Sequence, residues 1–282
     1  MFISGKARVM GVFGFPVEHS LSPAMHNAAI RALGLDCVYV PFSVPPESIP
    51  AAVEGLKALG ILGVNVTIPH KQAVIPFMDE VEDNARMIGS VNTIVNRDGK
   101  LIGSSTDGAG FLRSLTEAGF DVNGCKAVVL GAGGAGRAVS FALVQSGAKV
   151  TLMDEIPERA AALADDISSR FGRDLAANAD LTELGDYIFR ADLVVNCTPV
   201  GMSPNFECSP VPADMIRRGL VVYDLVYTPL RTKLLRDAES VGALAISGVK
   251  MLVYQGALSF EKWTGISPPI DVMEQAVLEG LR

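Results

Sequence analysis

Near the middle of this 282-residue chain, Gly131-Ala132-Gly133-Gly134-Ala135-Gly136 forms a Gly-x-Gly-x-x-Gly turn between two apolar segments. Ala127-Val128-Val129-Leu130 before it reads as a buried strand, and Arg137 to Gln145 after it reads as a helix. A strand, such a turn and a helix make the first unit of a dinucleotide-binding fold. The first glycine permits the tight turn, the second lets the backbone approach a pyrophosphate, and the third lets helix and strand pack closely. Unpaired N–H groups at the helix start suit the anion. A glycine-rich turn of this kind can also be purely structural, so the flanking elements carry the weight of the reading. About 125 residues precede the strand, enough for a separate domain.

Those residues alternate strand and helix. Strands are predicted over Val9 to Phe13, Cys37 to Phe42 and Gly63 to Thr67, with helices over Pro23 to Leu33, Pro46 to Leu59 and around Val81 to Ile88. Val91 to Asn96 and Leu101 to Gly103 flank Arg97-Asp98-Gly99-Lys100, an Asp-Gly turn of the hairpin type. The pattern predicts an α/β domain with a mostly parallel sheet and an antiparallel edge. A helix over Asp107 to Ala118 and a turn at Asp121-Val122-Asn123-Gly124 lead into the second domain. There, strands at Lys149 to Met153, Leu193 to Asn196, Val221 to Leu225 and Ala243 to Ile246, with a helix over Pro157 to Arg170, predict a doubly wound sheet. Two closing helices, Met251 to Trp263 and Val272 to Leu281, either complete that domain or cross back to the first.

A chain that is 49% apolar and 20% charged suits an ordinary soluble globular protein with a sizeable core. A net charge of −7 argues against a nucleic-acid surface and against attraction to anionic membranes. No apolar run approaches a membrane span, and no signal peptide is read at the N-terminus. The scattered Cys37, Cys125, Cys197 and Cys208 show no metal-ligand spacing and read as reduced packing residues of a cytoplasmic protein. No metal site is expected.

Polar residues cluster at the ends of the predicted strands, where open α/β sheets hold ligands. Ser20 and Ser22, in His19-Ser20-Leu21-Ser22-Pro23, either cap a helix or cradle an anion. In Asn65-Val66-Thr67-Ile68-Pro69-His70-Lys71, alternation puts Asn65 and Thr67 on one side, and Lys71 is either a solvated charge or one met by a carboxylate. Asn92 interrupts an apolar strand, and Asp107, in Thr106-Asp107-Gly108, opens a helix and can serve as its cap. His19, His26 and His70 show neither metal spacing nor a triad, and His26 falls on a helix face. Asn196-Cys197-Thr198-Pro199 and Asp224-Leu225-Val226-Tyr227 follow strands on the cofactor side, and Gln255 interrupts the late apolar helix.

Taken in this order, the segments resemble the shikimate dehydrogenase family. The resemblance rests on Ser20-Leu21-Ser22-Pro23, the Asn65 to Lys71 segment, Val91-Asn92-Thr93, Thr106-Asp107-Gly108, the glycine turn, Asp224 to Tyr227 and Gly248-Val249-Lys250-Met251-Leu252-Val253-Tyr254-Gln255. It implies reversible oxidation of shikimate to 3-dehydroshikimate with a nicotinamide cofactor. It implies that Ser20 and Ser22, with Tyr227, hold the substrate carboxylate, that Asn65, Thr67, Asn92, Asp107 and Gln255 hold ring hydroxyls, and that Lys71 paired with Asp107 transfers the proton. Gly131, Ala132, Gly133, Gly134, Ala135 and Gly136, with Asp154, Glu155, Thr198, Gly248 and Met251, would hold the cofactor. It also implies an N-terminal substrate-binding catalytic domain at 1–106, completed by returning C-terminal helices at 252–282, and a Rossmann domain at 107–251. The expected partner is a small cyclohexane or cyclohexene carboxylate, the expected assembly a monomer or homodimer.

The chain departs from the family pattern at one place. NADP-using members end the second strand of the cofactor domain in an Asn-Arg-Ser/Thr motif whose arginine holds the 2′-phosphate. Here the stretch reads Met153-Asp154-Glu155-Ile156. An acidic residue about 20 residues beyond the glycine turn binds the ribose 2′-hydroxyl of NAD. Two unit charges 4 Å apart repel by up to about 4 kcal/mol at an effective dielectric near 20. NAD is therefore the expected cofactor, with NADP possible if Asp154 and Glu155 are solvated and Arg159 supplies the cation. Quinate is an alternative substrate, and NAD use leans toward a catabolic role. A catalytically idle dinucleotide sensor is a second reading, which the joint presence of Lys71, Asp107, Asn92 and Gln255 argues against. A folate-linked dehydrogenase is a third, with no need for paired serines.

Overall fold

A computed structural model describes residues 3–172 and 174–282. They form two compact units, one from the chain up to Gly110 together with Leu252–Gly280, the other from Phe111–Met251.

In the first unit, β1 (Arg8–Gly14), α1 (Ser22–Ala32), β2 (Cys37–Ser43), α2 (Ile49–Ala58) and β3 (Gly63–Val66) alternate, followed by β4 (Glu80–Val81), α3 (Asp83–Ile88), β5 (Thr93–Arg97), β6 (Lys100–Ser104) and α4 (Asp107–Glu117). The sheet order is β2-β1-β3-β5-β6-β4. Strand β1 lies between parallel partners β2 and β3, which explains why it is buried from Met10 to Gly14. Helix α1 carries a proline in its first turn and buries Met25, His26, Ala28, Ala29 and Ile30. Strands β5 and β6 pair antiparallel through Asp98 and Gly99, both at positive φ as a type I′ turn requires.

The antiparallel strands are internal and do not form the edge that the sequence suggested. Strand β5 pairs with β3, and the two-residue β4 closes the sheet parallel to β6. Because Glu80 and Val81 are drawn into that pairing, the helix expected from Val81 begins at Asp83.

The second unit contains β7 (Lys126–Leu130), α5 (Gly134–Gln145), β8 (Lys149–Met153), α6 (Pro157–Phe171), β9 (Ala176–Asn178), α7 (Leu184–Arg190), β10 (Leu193–Asn196), β11 (Val221–Asp224), α8 (Lys233–Ser240) and β12 (Leu244–Ser247). Its six strands run parallel in the order β12-β11-β10-β7-β8-β9, the doubly wound arrangement with a switch point between β7 and β10. Central strands β10 and β11 are buried at every residue, as strands covered on both faces must be.

The closing helices are α9 (Val249–Thr264) and α10 (Ile270–Gly280). From Leu252 onward they belong to the first unit. Trp263 Nε1 donates to the Ile94 carbonyl at 2.9 Å, and Lys262 Nζ pairs with Glu82 at 2.7 Å. Among the described residues, no helix is long and apolar enough to cross a membrane. Cys37 and Cys125 are buried, whereas Cys208 is exposed and is not a packing residue.

Candidate active site

Lys71 follows β3 by five residues, and its carbonyl accepts from Val91 N–H at 2.8 Å, which brings it beside Asn92. Asp107 opens α4, where a carboxylate also faces the positive end of the helix dipole. Lys71 Nζ and Asp107 Oδ2 are 2.5 Å apart, with side chains only 14% and 5% exposed. Asp107 Oδ1 accepts from Asn92 Nδ2 at 2.7 Å. The carboxylate therefore faces Lys71 and Asn92, and Lys71 is not a solvated charge. The unit boundary falls after Gly110, so Asp107 and the first turn of α4 lie with the first unit, not the second.

Asn92 Nδ2 also donates to Thr106 Oγ1 at 2.8 Å and to Gln255 Oε1 at 3.2 Å. Its Oδ1 accepts from Thr106 N–H at 2.8 Å, which fixes the direction of the carboxamide because that N–H can only donate. Gln255 reaches this point because α9 passes close to Gly110, where a Cβ would lie 2.7 Å from Gln255 N. Gln255 Nε2 donates to the Leu252 carbonyl at 2.8 Å.

Asn65 lies one strand away, 5% exposed. Its Oδ1 accepts from Tyr39 O–H at 2.8 Å, and its Nδ2 donates to Ser259 Oγ at 3.0 Å and the Asn92 carbonyl at 3.2 Å. Burial pushes the Tyr39 hydroxyl well above its ordinary range, opposed by a hydrogen bond with Ser22, so it remains a donor. Ser22 is buried at the start of α1, and Ser20 Oγ accepts from Ser22 N–H at 3.3 Å. No side chain caps α1 itself. Thr67 is half-buried just past β3, its N–H bonded to the Phe13 carbonyl at 2.9 Å.

Lys71, Asp107, Asn92, Gln255, Asn65 and Ser22 are thus joined in the first unit through direct or shared partners. Tyr227 lies in the second unit, and burial raises its hydroxyl above the ordinary range. Four contributors absent from the sequence-based set are Tyr39, Thr93, Thr106 and Ser259. Ser259 had one readable signal, its place four residues after Gln255 on the same helix face. Of the histidines, His19 is exposed, His70 Nε2 contacts the Val44 carbonyl at 2.7 Å, and His26 is buried against Tyr39.

In the second unit, Gly131 has φ +97°, and a Cβ on Gly136 would lie 1.8 Å from the Gly131 carbonyl oxygen. A Cβ on Gly133 would meet nothing within 4 Å, so open space faces the turn where a pyrophosphate would lie. No side chain caps α5, leaving its first-turn N–H groups for an anion. Asp154 Oδ2 accepts from Ala132 N–H at 2.7 Å, and Oδ1 from Ile156 N–H at 2.9 Å. Each oxygen retains a lone pair for a ribose hydroxyl. Glu155 and Arg159 are exposed. Thr198 lies against Gly131, its Oγ1 donating to Asn196 Oδ1 at 2.6 Å. Gly248 packs on the Leu225 carbonyl, while Met251 is 6% exposed and buried in α9. These residues fit a dinucleotide. Among the described residues, no group of three or more His, Cys, Asp or Glu could hold a metal.

A doubly wound dinucleotide fold, joined in one chain to a unit with a shielded lysine–carboxylate pair among amides and hydroxyls, defines a dinucleotide-dependent oxidoreductase. Residues 12–94 match the shikimate dehydrogenase substrate binding domain, residues 114–218 shikimate / quinate 5-dehydrogenase, and residues 248–278 the shikimate 5′-dehydrogenase C-terminal domain. The chain is 51% identical to a shikimate dehydrogenase (NADP(+)) of Methanopyrus kandleri, covering 99% of this chain and 98% of the relative. It is similar to shikimate 5-dehydrogenase from Listeria monocytogenes in complex with shikimate and NAD, at 36% identity and a TM-score of 0.88 over 97% of both chains. The Thermus thermophilus enzyme in complex with NADP(H) and shikimate gives 39% identity and a TM-score of 0.88, covering 97% of this chain and 100% of that one. The chain belongs to the shikimate dehydrogenase family.

Proposed function

We propose that this protein interconverts shikimate and 3-dehydroshikimate with a nicotinamide dinucleotide, and that Lys71 and Asp107 carry the proton. The observation behind this reading is the 2.5 Å contact between Lys71 Nζ and Asp107 Oδ2, with Asn92 on the other oxygen, in a chain of this family. When bound, the dinucleotide supplies the hydride acceptor for oxidation and the donor for reduction. Gly131 to Gly136, Asp154, Glu155, Thr198, Gly248 and Met251 would hold it.

The alcohol must lose a proton as its carbon is oxidised, and regain one on reduction. Lys71 Nζ is the group offered for that exchange, and Asp107 orients it. Asn92 keeps the carboxylate turned toward Lys71 by bonding the oxygen that the lysine leaves free. Ser20 and Ser22 would take the substrate carboxylate, and Asn65, Thr67, Asn92 and Gln255 the ring hydroxyls. The first unit with its closing helices is the substrate domain in this reading, and the second the dinucleotide domain. An idle sensor would have no use for the shielded ion pair.

NAD is the preferred cofactor in this proposal, although relatives carry NADP(+) in their names. Support comes from Asp154, whose carboxylate is anchored at the mouth of the glycine turn. A negative charge there accepts from a ribose 2′-hydroxyl and repels a 2′-phosphate. Crossing shikimate and quinate with NAD and NADP in an oxidation assay tests both parts. The proposal expects the highest kcat/KM with shikimate and NAD. A preference for NADP would overturn the cofactor assignment, and a preference for quinate the substrate assignment.

A further inference from the structure

Ser259 sits in α9 with no exposed surface, and apart from Gln255 the other buried side chains of that helix are apolar. Serine is a mediocre helix former, and a buried hydroxyl costs free energy unless it is bonded. Alanine would serve simple packing better. Yet the Ser259 hydroxyl donates to the Gln255 carbonyl at 3.0 Å, one turn back, and its oxygen accepts from Asn65 Nδ2 at 3.0 Å. It also lies 2.7 Å from Thr93 Oγ1 and 3.3 Å from Thr106 Oγ1. One hydroxyl therefore touches Asn65, the residue after Asn92, the residue before Asp107, and the carbonyl of Gln255.

The direction of the Asn65 carboxamide follows from its partners. The Asn92 main-chain oxygen can only accept, so Nδ2 must face it, and Ser259 takes a second bond from the same nitrogen. Oδ1 then faces Tyr39, which donates to one lone pair.

We propose that Ser259 is a positioning residue, holding the Asn65 carboxamide in the one orientation in which it meets a substrate hydroxyl. This rests on the reading above of Asn65 as a substrate contact. The test is a double-mutant cycle of Ser259→Ala and Asn65→Ala on the full chain, measuring shikimate KM, kcat, dinucleotide KM and thermal midpoint. Loss of one neutral buried hydrogen bond predicts a shikimate KM raised about 3- to 10-fold in S259A. The dinucleotide KM should not move. In the N65A background, S259A should add nothing further, because coupled residues are non-additive. An equal further increase in that background, or a lowered midpoint with unchanged shikimate KM, would overturn the proposal. An unchanged shikimate KM in N65A alone would instead defeat the role of Asn65, and Ser259's role with it.

Discussion

Lys71 Nζ and Asp107 Oδ2 lie 2.5 Å apart, and Asn92 donates to the second oxygen of the same carboxylate. The amide thus fills the one side of Asp107 that the lysine leaves free, and the lysine cannot swing away without leaving a buried charge unpaired. Lys71→Ala should lower kcat by about 10²- to 10⁴-fold, the usual worth of a general acid/base group. Steady-state turnover with circular dichroism on the same sample checks it. Near-normal turnover in a folded variant would exclude Lys71 as the proton carrier.

This pair shows how far the sequence could be read. Lys71 and Asp107 stood out only through a resemblance, because neither lies within helical or strand reach of the other. The strands were legible wherever burial on both faces made continuous apolar runs, as in Val128 to Leu130 and Leu193 to Val195. Strand β9 and helices α7 and α8 escaped, since they are short and bury few residues. Helix α8 buries only Leu234, Leu235 and Ala238. The partners Tyr39, Thr93 and Ser259 escaped for a different reason. Their bonds join segments far apart in the chain, such as Thr93 with Ser259, and no local pattern encodes such a meeting.

The glycine turn separates two kinds of requirement. At Gly136 a Cβ would collide with the Gly131 carbonyl at 1.8 Å, whereas at Gly133 it would meet nothing within 4 Å. Gly136→Ala should distort the turn and lower thermal stability even without a dinucleotide. Gly133→Ala should melt like the parent, within about 0.5 kcal/mol as for a neutral surface change, yet bind the dinucleotide weakly. Calorimetric titration and thermal melts of both variants check this. Normal dinucleotide affinity in G133A would mean that the backbone there makes no close approach to the cofactor.

Asp154 has two tasks that one substitution separates. It accepts from Ala132 and Ile156 N–H groups, and in the proposed function its charge would meet the ribose 2′-substituent. Asp154→Ala should weaken both cofactors slightly by releasing the turn. It should cost NAD more, narrowing the NAD-to-NADP ratio of kcat/KM by about tenfold, equivalent to roughly 1.4 kcal/mol of charge discrimination. Equal losses for the two cofactors would reduce Asp154 to a structural cap.

His26 provides a pH test of the first unit's interior. It is fully buried and stacks on Tyr39 with ring centroids 4.3 Å apart. Burial lowers its pKa from 6.5 to about 3, partly opposed by Asn65. Between those values the unfolded chain binds a proton that the folded chain does not, so stability falls as pH drops below about 6.5. Asp224 acts in the opposite sense. Burial raises its carboxyl from 3.8 to about 6, so the folded state is the better proton binder between those values and stability falls as pH rises through them. The two slopes oppose each other between about pH 4 and 6, and the parent protein alone would hide both. His26→Phe keeps an aromatic ring against Tyr39 and removes the imidazole slope. Denaturant midpoints at pH 7 and pH 4.5 should show the variant gaining on the parent as pH falls, by up to about 2–3 kcal/mol for two pH units below 6.5. A difference between variant and parent that stays constant with pH would mean that His26 is not held neutral in the fold.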